Sequence, residues 1–252
     1  PVALCCVDEA HVVTEWGASF RPSYLRVREA IDTVLKARTL LALTATATPA
    51  AVRGICKALR LHQQADVRRG DWSRPNLRLS VSKEAGDGQA KALFEMLLHA
   101  SSSSPFSSPS SSSTSNSSTS SSSSSSLSAS RRTPATVVYT ATRREADSLA
   151  DLLRASGSVV GGVASYHAGL SPLQRSRVQR RFMNGSLACV VATVAFGLGL
   201  DKRDIRAVVH WGPPTSLEAY LQQCGRAGRD QKPAWAHAFL GDPAHARFAL
   251  SR

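Results

Sequence analysis

Two α/β units, each a parallel sheet covered by helices, are what this sequence predicts. Three observations lead there. Short, nearly unbroken apolar runs such as Val2–Val7 and Leu187–Ala192 read as strands buried on both faces. Segments with apolar residues at helical spacing alternate with those runs, several opened by a capping residue. Residues 101–130, with 22 serines in 30 positions, cut the alternation in two. That tract cannot bury enough apolar surface to offset its ordering entropy, so it is expected to be a disordered insertion.

In the first unit, Val2–Val7 is a strand and Pro22–Ala37 a helix with Tyr24, Val27, Ile31 and Val34 on one face. Thr39–Leu43 is the next strand. Thr48-Pro49 sets an N-cap before a proline at the first helical position, and Val52, Ile55, Cys56 and Leu59 then recur at helical spacing. Leu77–Val81 follows as a strand and Gln89–His99 as a helix. Beyond the serine tract, Thr136–Tyr139 is a strand. Thr142–Glu145 is a capping box whose helix runs to Gly157 on Ala146, Leu149, Ala150 and Leu153. Ser171-Pro172 opens another helix, which ends at Asn184-Gly185. Leu187–Ala192 is a strand, and Thr215–Glu218 caps a helix carrying Leu217, Tyr220, Leu221 and Cys224 on one face. The expected division is 1–84 for the first unit, 85–100 for a connecting helix, 101–130 for the insertion, 131–245 for the second unit and 246–252 for a tail.

The net charge of +13 is uneven: residues 1–100 carry 14 basic and 10 acidic groups, residues 131–252 carry 17 and 8. A basic excess in one half points to a polyanion, nucleic acid first, or to a solvated basic surface. Five scattered cysteines without a C-x-x-C argue against a disulfide framework or a zinc site and fit a reducing compartment. No signal peptide and no apolar run near 18 residues is found, so no membrane is expected among the partners. The first residue is Pro rather than Met, which fits a chain cut from something longer.

Ligands of open parallel sheets bind at the carboxyl ends of the strands. Asp8-Glu9-Ala10-His11 sits at one such end. An acidic pair there can hold Mg²⁺ and aim an attacking water, or, taken alone, cap a helix. Its usual companion, a G-x-x-x-x-G-K-[ST] loop, is absent, since only seven residues precede Asp8 and none of the six lysines follows a glycine. Thr44–Thr48 forms a small-residue turn after the second strand. Far downstream, Gln222–Asp230 carries Arg226 and Arg229 between glycines, the spacing an arginine finger needs to meet phosphate charge. Arg175, Arg177, Arg180 and Arg181 share a helix and read as a solvated face.

At these residues the chain resembles a superfamily 2 helicase, and more narrowly the RecQ family of DNA helicases. Asp8–His11 resembles motif II, with its D-E-A-H sequence. Trp16–Tyr24 resembles the aromatic-rich loop, Thr44–Thr48 motif III, and Arg74-Pro75-Asn76-Leu77 the family's R-P-N-L. Val137-Val138-Tyr139 resembles motif IV, Tyr166–Leu170 the Y-H-A-G-L element, Val191–Lys202 motif V and Gln222–Asp230 motif VI. Phe20–Val27, Ser80–Ser82 and Ala192–Ala195 are similar to the branch that contains the Rothmund–Thomson syndrome helicase.

The resemblance implies two RecA-like P-loop NTPase domains, the first truncated at its N-terminus, with ATP in the cleft between them. It implies an ATP-dependent 3′→5′ DNA helicase acting in replication, recombination and repair in the nucleus, on single-stranded and duplex DNA. Asp8 would bind Mg²⁺, Glu9 orient water, and Arg229 act as the finger, supported by Arg226. His11 and Gln222 would join the ATP contacts. Trp16, Phe20, Arg21, Tyr166, His167 and Thr193 would contact DNA, although a lone histidine such as His167 also reads as satisfying a local hydrogen bond. Departures from the family pattern are Glu15 for Gln, Ala18-Ser19 for His-Asp, Gln223 for Glu and Gln231 for Gly. Without the phosphate loop, these 252 residues are expected to turn over no ATP. A non-catalytic DNA-binding relic and a DEAH-type RNA helicase are the alternatives.

Overall fold

A computed structural model of the chain describes residues 2–15, 26–45, 48–62, 66–71, 73–102, 132–197 and 200–241. Trp16, Phe20, Arg21, Tyr24 and the serine tract from residue 103 lie outside the described residues, so the expectations placed on them stand as made. The chain forms two compact units, Pro1–Ser73 and Arg74–Arg252.

In the first unit, β1 (Leu4–Val7) pairs in parallel with β2 (Thr39–Ala42), Leu4 opposite Thr39 and Val7 opposite Ala42. Helices α1 (Val12–Glu15), α2 (Val27–Ala30) and α3 (Pro49–Ala58) accompany them, α2 running into a π-helical turn at Ile31–Leu35. That turn, closed by Lys36 at φ +47°, is where the described part of the expected 22–37 helix ends. The Thr48 hydroxyl accepts the Ala51 N–H at 3.1 Å, so α3 begins as its sequence dictates. Val7, Ala10, Val13, Ile31, Ile55 and Leu59 form the core. Leu4 and Leu41 stay exposed, so this pair of strands is buried on one face and not, as their apolar runs suggest, on both.

In the second unit the elements are β3 (Leu77–Ser82), α4 (Gly86–Ser102), β4 (Thr136–Tyr139), α5 (Arg143–Ala155), β5 (Val163–Tyr166), α6 (Pro172–Met183), β6 (Cys189–Ala192), β7 (Ala207–His210), α7 (Leu217–Cys224) and β8 (Ala234–Phe239). Six parallel strands lie in the order β3-β8-β7-β4-β6-β5. Because strand side chains alternate, each central strand feeds two cores. Val137, Tyr139, Val190, Ala192 and Val208 meet Phe182 of α6 and Cys224 of α7 on one face. Val138, Cys189, Val191 and Val209 meet Leu93 and Leu97 of α4 and Leu149 and Leu153 of α5 on the other. The sheet is thus the middle of three layers.

Among the boundaries that differ from the sequence reading, two change how the chain is divided or capped. Leu77–Ser82 pairs along its whole length with β8, so the first unit ends at Ser73 rather than at 84. Local pattern identifies a strand but not the sheet it joins. The cap of α7 is Ser216, whose hydroxyl accepts the Ala219 N–H at 3.1 Å, rather than Thr215; Leu217 points outward while Cys224 is buried. No helix among the described residues is long and apolar enough to cross a membrane.

Candidate functional site

The acidic turn of the first unit is built by its two strands. Leu43 N–H donates to the Val7 carbonyl and Ala10 N–H to the Leu43 carbonyl, both at 2.8 Å, which locks the turn after β1 to the end of β2. Asp8 is exposed, and its Oδ1 accepts the Glu9 N–H at 2.8 Å. Glu9 itself sits at φ +50°, a left-handed conformation that non-glycine residues adopt at a cost and that gathers at functional turns. His11 Nδ1 lies 3.0 Å from Thr44 Oγ1 and 3.4 Å from Glu9 Oε2. Motif II and the start of motif III are therefore one hydrogen-bonded unit. Among the described residues no group of three or more His, Cys, Asp or Glu could hold a metal. One exposed carboxylate at a strand end suits Mg²⁺ instead, which keeps most of its waters and shares the rest of its shell with substrate phosphates.

In the second unit, motif VI folds back onto motif V. Arg226 Nη1 donates to the Gly197 carbonyl at 2.5 Å, and Arg229 Nη1 donates to the Leu200 carbonyl at 3.0 Å with Asp201 at 3.5 Å. Gly197, at φ +138°, leaves the space the Arg226 guanidinium fills. Tyr139 at the end of β4 donates its hydroxyl to the Phe196 carbonyl at 3.1 Å. Burial pushes that phenol up to about 12, with Arg226 and then Arg229 opposing the rise. Arg226 is therefore a pin between two motifs. Arg229 is more exposed and more loosely held, the freer of the two to meet an anion. Gln222 is half-buried on α7.

Sequence reasoning read Arg74-Pro75-Asn76-Leu77 only as a family signature; the structure gives it a task. Arg74 Nη2 donates to the carbonyls of Ala227 and Gly228 at 2.9 and 2.8 Å. Asn76 Nδ2 donates to those of Gly228 and Lys232 at 2.8 and 2.9 Å. The turn that carries motif VI is held by these side chains. Another missed contact lies at the end of β7. His210 is buried with its Nε2 2.7 Å from Gln223 Oε1, and burial lowers its basicity below the ordinary imidazole range.

Two residues expected on DNA, Tyr166 and His167, have buried side chains. Tyr166 is buried, its ring 4.6 Å from that of Phe196. His167 is buried and accepts the Gly169 N–H at Nδ1, 3.2 Å away. Its Nε2 therefore carries the proton and donates to Asp147, 3.1 Å from both carboxylate oxygens. Ser165 also donates to Asp147, at 2.6 Å; that bond first, then His167, keeps the carboxyl below its usual range against its own desolvation. Both side chains shape the loop after β5 from within. Alternation on a strand and an acidic partner on α5 decided this, and neither shows in the Y-H-A-G-L string. Thr193 is half-buried at the carboxyl edge, and its N–H donates to the Tyr166 carbonyl at 3.2 Å.

Motifs V and VI, fastened together at the carboxyl edge of a six-stranded parallel sheet, set this half of the chain beside known proteins. Residues 123–231 match the helicase conserved C-terminal domain. The chain is 37% identical over 253 residues to a human protein named ATP-dependent DNA helicase Q4, covering 95% of this chain and 18% of that one. It is 35% identical to the ATP-dependent DNA helicase RecQ of Bacillus subtilis, covering 91% and 32%. A mimivirus protein named putative ATP-dependent RNA helicase R290 is 32% identical, with 94% and 37% covered. The chain thus spans well under half of these relatives. Among solved structures, Saccharomyces cerevisiae Dbp5 bound to RNA and ADP BeF3 gives a TM-score of 0.70 at 17% identity, covering 99% of this chain and 56% of that one. That likeness shows the fold, a RecA-like helicase C-terminal domain in the second unit.

Proposed function

We propose that this chain is part of a RecQ-type ATP-dependent DNA helicase of the branch that includes the Q4 protein, moving 3′→5′ in nuclear replication, recombination and repair. The observation that carries the reading is the pinning of the motif V loop by Arg226. A change in the charge met by motif VI is passed directly to residues 193–197, at the edge where Thr193 lies. Similarity to the two DNA helicases supports DNA as the substrate class.

In this reading Asp8 holds Mg²⁺, which screens phosphate charge when bound. Glu9 holds and orients a water by accepting its proton, and His11 ties that carboxylate to Thr44. Arg229 exchanges the Leu200 carbonyl for phosphate oxygens, while Arg226 keeps its bond to Gly197 and transmits the change. Gln222 adds a polar contact to the nucleotide. DNA contacts fall to Thr193, to the backbone of the loop after Tyr166, and to Trp16, Phe20 and Arg21.

The test is ATPase activity of the protein that carries these 252 residues, with single-stranded DNA or RNA added. Stimulation by DNA above RNA, lost in Glu9→Gln and in Arg229→Ala, is expected. Equal stimulation by RNA would favour the RNA-helicase reading, which the mimivirus relative also supports. DNA binding with no turnover would leave a non-catalytic relic. The 252 residues alone, which contain no G-x-x-x-x-G-K-[ST] sequence, are expected to stay at background.

A further inference from the structure

Helix α6 carries a cationic face that the fold does not use. Arg177, Arg180 and Arg181 lie on it, Arg175 being half-buried, and from Leu152 to Leu200 the chain has no Asp or Glu. Phe182 and Val178 fix which side of α6 faces the sheet. Arg177, Arg180 and Arg181 fall on the other side, at i, i+3 and i+4, and all three are exposed. Neighbours at that spacing stand about 5–6 Å apart at Cβ, so three guanidinium groups share one patch.

Some exposed arginines elsewhere pair with carboxylates, as in Arg26–Glu29 at 3.1 Å and Arg229–Asp201 at 3.5 Å. Among the described residues no acidic group pairs with Arg177, Arg180 or Arg181. The favourable helix dipole accounts for basic residues only in the last turn. Arg177 lies a full turn earlier, and the terminal Met183 carbonyl is already met by Lys202 Nζ at 3.3 Å. Like charges three and four apart repel, so a face of this kind costs stability unless an anion covers it.

We propose that the outward face of α6, through Arg177, Arg180 and Arg181, binds the phosphate backbone of a nucleic acid. The idea rests on the nucleic-acid reading above and adds a contact to it. The face belongs to the helix that follows the loop after β5, in the same unit that carries Thr193. Arginine suits the task because its fork meets phosphate oxygens in two parallel bonds. No base is read by such a face. It adds affinity and salt dependence without sequence preference.

The experiment measures binding of the 252-residue chain to labelled single-stranded and duplex DNA by fluorescence anisotropy, across a salt series. Four proteins are compared: wild type; the triple variant R177Q/R180Q/R181Q; its charge-preserving counterpart R177K/R180K/R181K; and a control, R53Q/K57Q/K91Q, with the same loss of charge from exposed positions elsewhere. Each phosphate contact contributes about 0.9 to the log–log salt slope on duplex and about 0.7 on single strands. The glutamine triple is expected to flatten the slope by about two to three units on the form that α6 touches. The lysine triple and the control should keep the wild-type slope. A glutamine triple no flatter than the control overturns the α6 contact and leaves the nucleic-acid reading standing. Loss in the lysine triple as well overturns it in favour of a structural role. Wild type that binds neither DNA form overturns both.

Discussion

Gly197 and Arg226 divide one small volume between them. A Cβ on Gly197 would stand 2.5 Å from the Arg226 Cζ, and the Arg226 Nη1 donates to the Gly197 carbonyl. The glycine of motif V is thus the socket for the arginine of motif VI.

Replacing Gly197 by alanine is therefore expected to cost about 1–3 kcal/mol, from the contact and from forcing φ +138° on an L side chain. Part of that cost should vanish when Arg226 is already alanine, because only the backbone strain is left. Urea denaturation of the two single variants and the double reads the coupling, and strictly additive losses would break the account.

Asn76 Nδ2 donates to two carbonyls, while its Oδ1 accepts from Arg74 Nε at 3.4 Å. Asn76→Ala should destabilise the second unit by about 0.5–1.5 kcal/mol, the net worth of the lost part-buried hydrogen bond. Asn76→Asp should cost more, since it turns a carboxylate oxygen toward the Gly228 and Lys232 carbonyls. Thermal unfolding that ranks aspartate as the milder change would contradict the assigned geometry.

Thr142 and Glu145 form a reciprocal capping box on α5, with Thr142 Oγ1 3.2 Å from the Glu145 N–H and Glu145 Oε2 3.1 Å from the Thr142 N–H. Thr142→Ala is expected to cost about 1 kcal/mol, and Thr142→Ser close to nothing. Denaturant midpoints of the two variants check this directly.

Burial holds the imidazoles of His210 and His237 below their ordinary range, with Gln223 opposing the shift in the first and Glu84 in the second. The unfolded chain thus takes up protons first as pH falls. The stability linked to these histidines is complete above about pH 6.5 and drains as pH drops toward their folded values. The melting temperature should fall between pH 7.5 and 5.5, and H210Q/H237Q should flatten that fall. Asp147, whose carboxyl is held low, acts only further down, near pH 4 and below.

Burial pushes the thiols of Cys189 and Cys224 up to about 12, whereas Cys6 is exposed. A thiol reagent at neutral pH should label Cys6 in the native protein and reach Cys189 and Cys224 only on unfolding. Mass spectrometry of the labelled peptides distinguishes the sites.

Much of this was legible along the chain. The caps at Thr48, Thr142 and Ser171 are local hydrogen bonds between residues three apart, and each stands where its sequence puts it. Thr136–Tyr139 is a strand because four apolar-rich residues in a row fit the middle of a sheet covered on both faces. The motifs along the chain likewise led to the helicase C-terminal domain that residues 123–231 match. What pattern could not decide was partnership. Leu77–Ser82 reads as a strand wherever it pairs, and only its ladder with Ala234–Phe239 moves it to the second unit. Val163–Tyr166 and Ala234–Phe239 are broken by serine or histidine and reach strand form through neighbours far away in sequence. The site divides in the same way. Residue type alone marks Asp8, Glu9, Arg226 and Arg229 as carriers of charge. Whether an arginine grips a carbonyl or a histidine donates to Asp147 depends on atoms 20 to 30 residues apart meeting at about 3 Å. Only the folded chain brings those atoms together.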